Sequence, residues 1–101
     1  MVAISGCASS DISRLSNSEY PALGEDAFVQ LTTGDLDVAY EELAIINVSG
    51  TAYTQIGEFN TLLRRDARRI GANAVVRIVY AQSGPASPPR ATGTAVRILE
   101  E

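Results

Sequence analysis

The feature that most constrains this chain is the run 56–80, where a helical period gives way to a strand period across a single glycine. On a wheel of 3.6 residues per turn, Ile56, Phe59, Leu62, Leu63, Ala67 and Ile70 gather into one arc, while Arg64, Arg65, Arg68 and Arg69 fall on the opposite side. The spacing predicts one amphipathic helix with a dry face and a cationic face. Arginines in its last turn suit the negative end of the helix dipole, and Gly71 stands where a C′ residue with positive φ is usually needed. From Asn73 the period is two: Ala74, Val76, Ile78 and Tyr80 alternate with Val75, Arg77, Val79 and Ala81. A helix feeding a strand this directly is one supersecondary unit, and its dry face calls for a sheet to cover.

The sheet is supplied on both sides of that unit. Residues 27–33 (AFVQLTT) alternate Phe28, Gln30 and Thr32 against Val29 and Leu31, which predicts a first strand. The acidic stretch 34–42 reads as a solvated connector. Its Asp35-x-Asp37 spacing invites a calcium reading, but Ala39 occupies the third ligand position and no glycine follows where an EF-hand loop must turn. Residues 43–49 (LAIINVS) are apolar on both faces and predict an interior strand. Thr54 is the expected helix N-cap. The Pro, Gly and Ser of residues 82–89 predict a hairpin loop, and residues 90–99 the last strand, in which Gly93 signals a bulge or a close backbone approach.

At 101 residues the chain makes one domain with a modest core. Cys7 is its sole cysteine, so no internal disulfide can form. A net charge of −4 argues against nucleic acid as a partner. All eight basic residues are arginines, and histidine and lysine are absent. The usual general bases and Schiff-base nucleophiles are therefore missing, and the expectation is a non-catalytic protein with no cofactor. Soft and borderline metals prefer cysteine and histidine ligands, so no metal site is expected either.

The chain opens MVAISGCASS, and the tetrad Ile4-Ser5-Gly6-Cys7 resembles the bacterial lipobox, in which cleavage before the cysteine precedes its acylation. Residues 1–7 then read as the truncated end of a lipoprotein signal, with Cys7 the lipidation site. Residues 8–26, serine-rich and interrupted by Pro21 and Gly24, read as a flexible tether with a reach of roughly 20 to 25 Å. Residues 27–101 form the folded domain. No segment is long enough to span a bilayer. The expected location is the cell envelope, as an outer-membrane lipoprotein facing the periplasm and held to the membrane by acyl chains.

Two segments carry a family resemblance: Leu63-x-x-Asp66-Ala67-x-x-x-Gly71-Ala72-Asn73-Ala74-Val75-Val76, and Ala91-Thr92-Gly93-Thr94-Ala95-Val96. Together they resemble the YbjQ-like proteins, often labelled heavy-metal-binding domains. The region 28–99 is similar, more loosely, to the globular domain of the outer-membrane lipoprotein that senses envelope stress in the Rcs pathway. The resemblance implies an α+β, dodecin-like fold, with one helix packed on a small antiparallel sheet of three to four strands in the order β-β-α-β-β. It also implies that the final strand lies between its two neighbours and the Phe28 strand adds at an edge. Some members of the family form pentamers. This chain departs from the pattern in having no disulfide for rigidity and no soft ligand for the metal label.

The candidate site residues follow. Arg64, Arg65, Arg68 and Arg69 either present a docking face to an anionic partner such as peptidoglycan, lipid headgroups or an acidic loop of an envelope protein, or form a solvated face balanced by the acidic loop. Asp66 lies inside the apolar arc, which predicts a buried, hydrogen-bonded structural carboxylate. Aliphatic residues in both registers of residues 73–81 predict a second sheet face centred on Val75, Arg77 and Val79, shared with Arg97, that takes a partner or another copy of the chain. The leading functional expectation is a lipid-anchored envelope protein with a small binding or sensing domain. The alternative is a structural homo-oligomer, with a small ligand between subunits.

Overall fold

A computed structural model describes residues 9–51, 54–82 and 88–99; Cys7 and the centre of the 82–89 loop lie outside the described residues. One helix, α1 (Ile56–Arg69), packs on a five-stranded sheet formed by β1 (Ser9–Arg14), β2 (Gln30–Leu31), β3 (Tyr40–Ser49), β4 (Ala74–Ala81) and β5 (Arg90–Ile98). The strand order is β1-β3-β5-β4-β2. All neighbours are antiparallel except β2, which runs parallel to β4. The class is α+β, and β5 lies between β3 and β4 as expected. The sheet is larger than expected and mixed.

Both departures come from the N-terminal third. The segment expected to be a tether begins instead as β1, paired with β3 from Ser9 opposite Ser49 to Arg14 opposite Ala44. Ile12 is its one large apolar residue, so main-chain hydrogen bonding rather than a hydrophobic pattern makes it a strand. The expected strand 27–33 shrinks to two ladder residues beside the start of β4, extended by Gln30 N–H to Asn73 O at 3.2 Å and Thr32 N–H to Val75 O at 3.0 Å.

The N-cap lies one residue later than the expected Thr54. Gln55 is the N-cap, and the Glu58 carboxylate accepts its backbone N–H at 3.3 Å in a capping box. Thr54 Oγ1 instead accepts the Thr51 N–H at 2.8 Å and closes the preceding turn. At the other end Ala72 N–H donates to Ala67 O at 2.8 Å and Gly71 N–H to Arg68 O at 3.1 Å, with Gly71 at φ +80°. That pair of bonds is a Schellman closure, for which glycine at C′ is the natural residue.

Phe59, Leu63 and Ala67 of α1 are buried against Leu43, Ile46, Val48, Val75, Ile78, Ala91 and Ala95. A second cluster, Ala74, Val76 and Val96, lies on the other face beneath Leu36, Tyr40 and Ile98. The two-residue alternation of β4 breaks between these sets. The β4–β5 register shifts between Val76 and Val79, and Arg77 within the bulge has φ +53°. Val75, Ile78 and Tyr80 therefore share the helix side, whereas Val76 faces away. Gly93 fits the bulge: a Cβ there would stand 2.6 Å from Val75 Cγ1 and 3.0 Å from Ile78 Cγ1. The close approach expected of it is present.

Two expectations for the second face are corrected. Val75 is fully buried under the helix and cannot centre a partner surface. Arg97 does not share a face with Arg77, since its guanidinium donates to Gly71 O at 2.9 Å beside the helix C-terminus. Of the expected trio, only Arg77 and Val79 are exposed. The loop read as a solvated connector contributes Leu36 and Tyr40 as a cover for the second cluster.

Candidate functional site

After β1 the chain crosses the C-terminal end of α1 and returns along its flank to β2, and polar side chains hold it there. Leu15 N–H continues the ladder to Leu43 O at 2.8 Å, and Arg14 Nη2 donates to Ser18 O at 2.8 Å. Glu41, at the end of β3, is the hub. It accepts from Ser16 Oγ and Tyr20 Oη at 2.7 Å each, and with the Ser18 hydroxyl these bonds hold its carboxyl down to about 2, Ser18 contributing most. The same contact raises the Tyr20 phenol, since a donor facing a carboxylate resists losing its proton. The Arg97 guanidinium stacks 5.0 Å from the centre of the Tyr20 ring.

Along the flank the helix supplies donors to a main chain that has no ladder of its own. Arg68 Nε donates to Ala27 O at 2.8 Å and Arg64 Nε to Val29 O at 3.2 Å, while Leu23 N–H donates to Arg68 O at 2.8 Å. Arg65 reaches Ser10 Oγ of β1 at 3.0 Å. The quartet expected to form one docking face is thus divided: Arg64, Arg65 and Arg68 hold the N-terminal third against the helix, and Arg69, 63% exposed, is the freest.

Asp66 is buried, as its place in the apolar arc predicts. Its side chain is 1% exposed; Oδ1 accepts from Arg65 at 3.2 Å and lies 3.8 Å from Arg69, while Oδ2 has no partner among the described residues. Tyr80, on the strand that follows the helix, donates to Asn60.

Between the crossing segment and the last helical turn lies an open cleft of about 380 Å³ whose walls include Arg14, Ser16, Asn17, Glu19, Tyr20 and Arg69. Two guanidiniums against one carboxylate give it a positive balance, and its size suits a small polar group or an acidic side chain. Of the residues singled out from sequence, only Arg69 reaches it. Arg14, Ser16, Asn17 and Tyr20 were hidden because a serine-rich stretch reads as linker; the signal that could have exposed them is the aromatic-proline pair Tyr20-Pro21, which a pure tether does not need.

On the second face Arg77 is bound rather than free. Its Nη2 donates to Glu42 at 2.7 Å and its Nη1 to Tyr40 Oη at 3.0 Å, Tyr40 donates in turn to Asp35, and the Arg77 N–H bonds to Gly34 O at 2.8 Å. The Asp35 carboxyl lies below its ordinary value, chiefly through the Tyr40 bond, and that bond raises the Tyr40 phenol. This network holds the 34–40 loop over Val76 and supports the positive φ of Arg77.

Among the described residues no three His, Cys, Asp or Glu side chains are grouped to hold a metal ion, and no helix is long and apolar enough to cross a membrane. No protein-family model matches the chain, and no curated protein does. One solved structure resembles it, the crystal structure of a Francisella virulence factor, FvfA, with 13% sequence identity and a TM-score of 0.60 over 87% of this chain and 96% of that one. At that identity the likeness is one of fold.

Proposed function

We propose that this chain is a lipid-anchored protein of the bacterial cell envelope whose small α+β domain binds or senses a partner without catalysis. The observation that carries the reading is the tetrad Ile4-Ser5-Gly6-Cys7, with a small residue at each of the two positions before the cysteine and an aliphatic residue ahead of them. The lack of histidine and lysine supports a binding rather than a catalytic role. Within the domain, the cleft between Arg14 and Arg69 is the binding site the geometry favours, and an acidic group of an envelope protein or of peptidoglycan suits its charge. An outer-membrane location facing the periplasm is part of the proposal.

The run β3-α1-β4-β5, with β5 between β3 and β4, supports a dodecin-like relationship to the YbjQ-like family in which β1 and β2 are additions. The alternative, a structural homo-oligomer, is less favoured. It called for a bare second face, but Leu36 and Tyr40 lie over one half of that face, and Asn47, Thr92 and Thr94 make much of the other half polar.

Metabolic labelling of the host with a palmitate analogue tests the anchor. Label on the wild-type protein, lost in Cys7→Ser together with membrane fractionation, is the expected result. Equal labelling of both would sink the reading.

A further inference from the structure

The sheet has two chemically different ends, and the N-terminus of the described chain leaves from one of them. Ser9, Ser49, Arg90 and Ala81 lie side by side at that end through the β1–β3, β3–β5 and β4–β5 registers. The two connections there are tied together by Gly50 N–H to Pro89 O at 3.0 Å, and Ile56 at the start of α1 lines a depression with Pro89 and Arg90. The opposite end holds the long excursion between β1 and β3, the turn between α1 and β4, and the chain beyond β5.

Charge follows the same division. Seven of the twelve acidic residues fall between positions 19 and 42, in the excursion and the far end of β3. At the Ser9 end the charges balance: Arg90 and Arg65, which bonds Ser10, stand with Asp11 and with Glu58, whose carboxylate accepts the Gln55 N–H. Ile56, 56% exposed, is a large apolar side chain open to solvent there.

Cys7 precedes Ser9 by two residues, and two residues span at most ~7 Å when fully extended. A tether of sixteen or more residues would have left the domain free to tumble. With β1 in the sheet from Ser9 onward, that freedom is gone.

We propose that the end of the domain marked by Ser9, Ile56 and Arg90 lies against the lipid surface to which Cys7 is anchored, with the acid-rich end and the Arg14–Arg69 cleft turned away from it. The inference rests on the acylation of Cys7. The lipid headgroups are the occupant this end suits: its balanced charges let Arg90 approach anionic headgroups, the exposed Ile56 can enter the interface, and the acid-rich opposite end is repelled. Arg14 pairs five residues up β3 from Ser49, and Arg69 ends the helix that Ile56 begins, so at ~3.4 Å per strand residue and ~1.5 Å per helical residue the cleft stands about 20 Å above the headgroups. The cleft is thereby presented at a fixed height and orientation.

The chain contains no tryptophan, so single reporters are unambiguous. Ile56→Trp and, at the far end, Val38→Trp and Phe28→Trp all replace exposed apolar side chains. Each acylated protein is purified from host membranes, its intact mass is measured, and it is reconstituted into vesicles of phosphatidylethanolamine and phosphatidylglycerol containing bromine-labelled lipid. The expected result is loss of emission at Ile56→Trp, none at Val38→Trp or Phe28→Trp, and recovery of the Ile56→Trp emission when a sixteen-residue Gly-Ser segment is inserted between Ala8 and Ser9. Equal quenching at both ends, stronger quenching at Val38→Trp, or no quenching at all three overturns the orientation while leaving the anchor intact, and quenching that survives the insertion overturns the part assigned to the two-residue link. An intact mass without acyl chains overturns the anchor itself, and the orientation with it.

Discussion

Gly71 is the point at which the helix end and the crossing segment depend on one another, and Gly71→Ala measures both. Its φ of +80° costs an alanine about 1–2 kcal/mol relative to glycine, because a Cβ in the left-handed region crowds the following carbonyl. A Cβ would also stand 2.8 Å from Pro21 O and closer still to Tyr20 Cβ. Neither atom is the loose end of a flexible side chain, so the segment itself must move. Tyr20 is fixed by its bond to Glu41 and its stacking on Arg97, and overpacking of this sort costs about 1–3 kcal/mol. The two contributions sum to about 2–5 kcal/mol.

For a domain of this size each kcal/mol moves the melting temperature by about 4–8 °C, so thermal unfolding followed by circular dichroism should show a fall of roughly 10 °C or more. Gly71→Asn separates the contributions. Asparagine tolerates the left-handed region, so it relieves much of the backbone cost but keeps the clash with Tyr20 and Pro21. It should melt between the wild type and Gly71→Ala. A Gly71→Ala protein within about 0.5 kcal/mol of wild type, the range of an ordinary surface change, would refute the packing of residues 20–21 on the helix end.

Gly93→Ala should cost about 1–3 kcal/mol through contact with Val75 Cγ1 and Ile78 Cγ1, and adding Val75→Ala should recover at least ~0.5 kcal/mol of coupling energy in a double-mutant cycle; strict additivity would contradict the close approach. Folded Glu41 stays ionised to about pH 2, whereas the unfolded chain takes up that proton near the ordinary 4.5. The unfolded state therefore binds more protons in this window, and urea melts should show stability falling as pH drops from 4.5 towards 2, with a shallower fall in Glu41→Gln. Tyr20 and Tyr40, both raised, place the matching alkaline loss above pH 10. Asp66→Leu should change stability by less than about 1 kcal/mol in either direction, because it removes an unpartnered buried oxygen while Arg65 and Arg69 can turn to water; a loss above about 2 kcal/mol in chemical denaturation would show that the carboxylate is needed.

The elements visible in the sequence are those whose side chains carry a period. The arc from Phe59 to Ile70 marks the helix, Gly71 its end, and residues 43–49 and 90–99 the interior strands, because burial of one or both faces forces apolar residues into fixed spacings. β1 has no such signature. Ser9, Ser10, Asp11 and Ser13 surround Ile12, and the strand forms because β3 offers it a row of main-chain partners. The Arg77 bulge is equally silent, since an arginine in the left-handed region has no local cause; it is held by Tyr40 and Glu42 from another strand. That single irregularity moved Val75 to the helix side and dissolved the expected partner surface. Glu41 was hidden for a related reason, because its donors Ser16 and Tyr20 lie more than twenty residues away in a stretch of linker composition.

The cationic face of α1 shows how the same residues carry a different meaning once β1 is in the sheet. A segment that crosses a helix without joining a ladder leaves its carbonyls short of donors, and arginine reaches furthest with the most N–H groups to supply them. Arg64 and Arg68 do this for Val29 and Ala27. Without residues 27–29 along its flank the helix would have no such carbonyls beside it, and Arg64 and Arg68 would stand as like charges four positions apart, disfavoured by a few tenths of a kcal/mol. Their clustering is thus explained by the internal contact and needs no external anion. Arg69 and Arg14 are the cations turned into the cleft, and among the described residues Arg14 Nη2 bonds the Ser18 carbonyl, so a carboxylate entering between them would meet two guanidiniums.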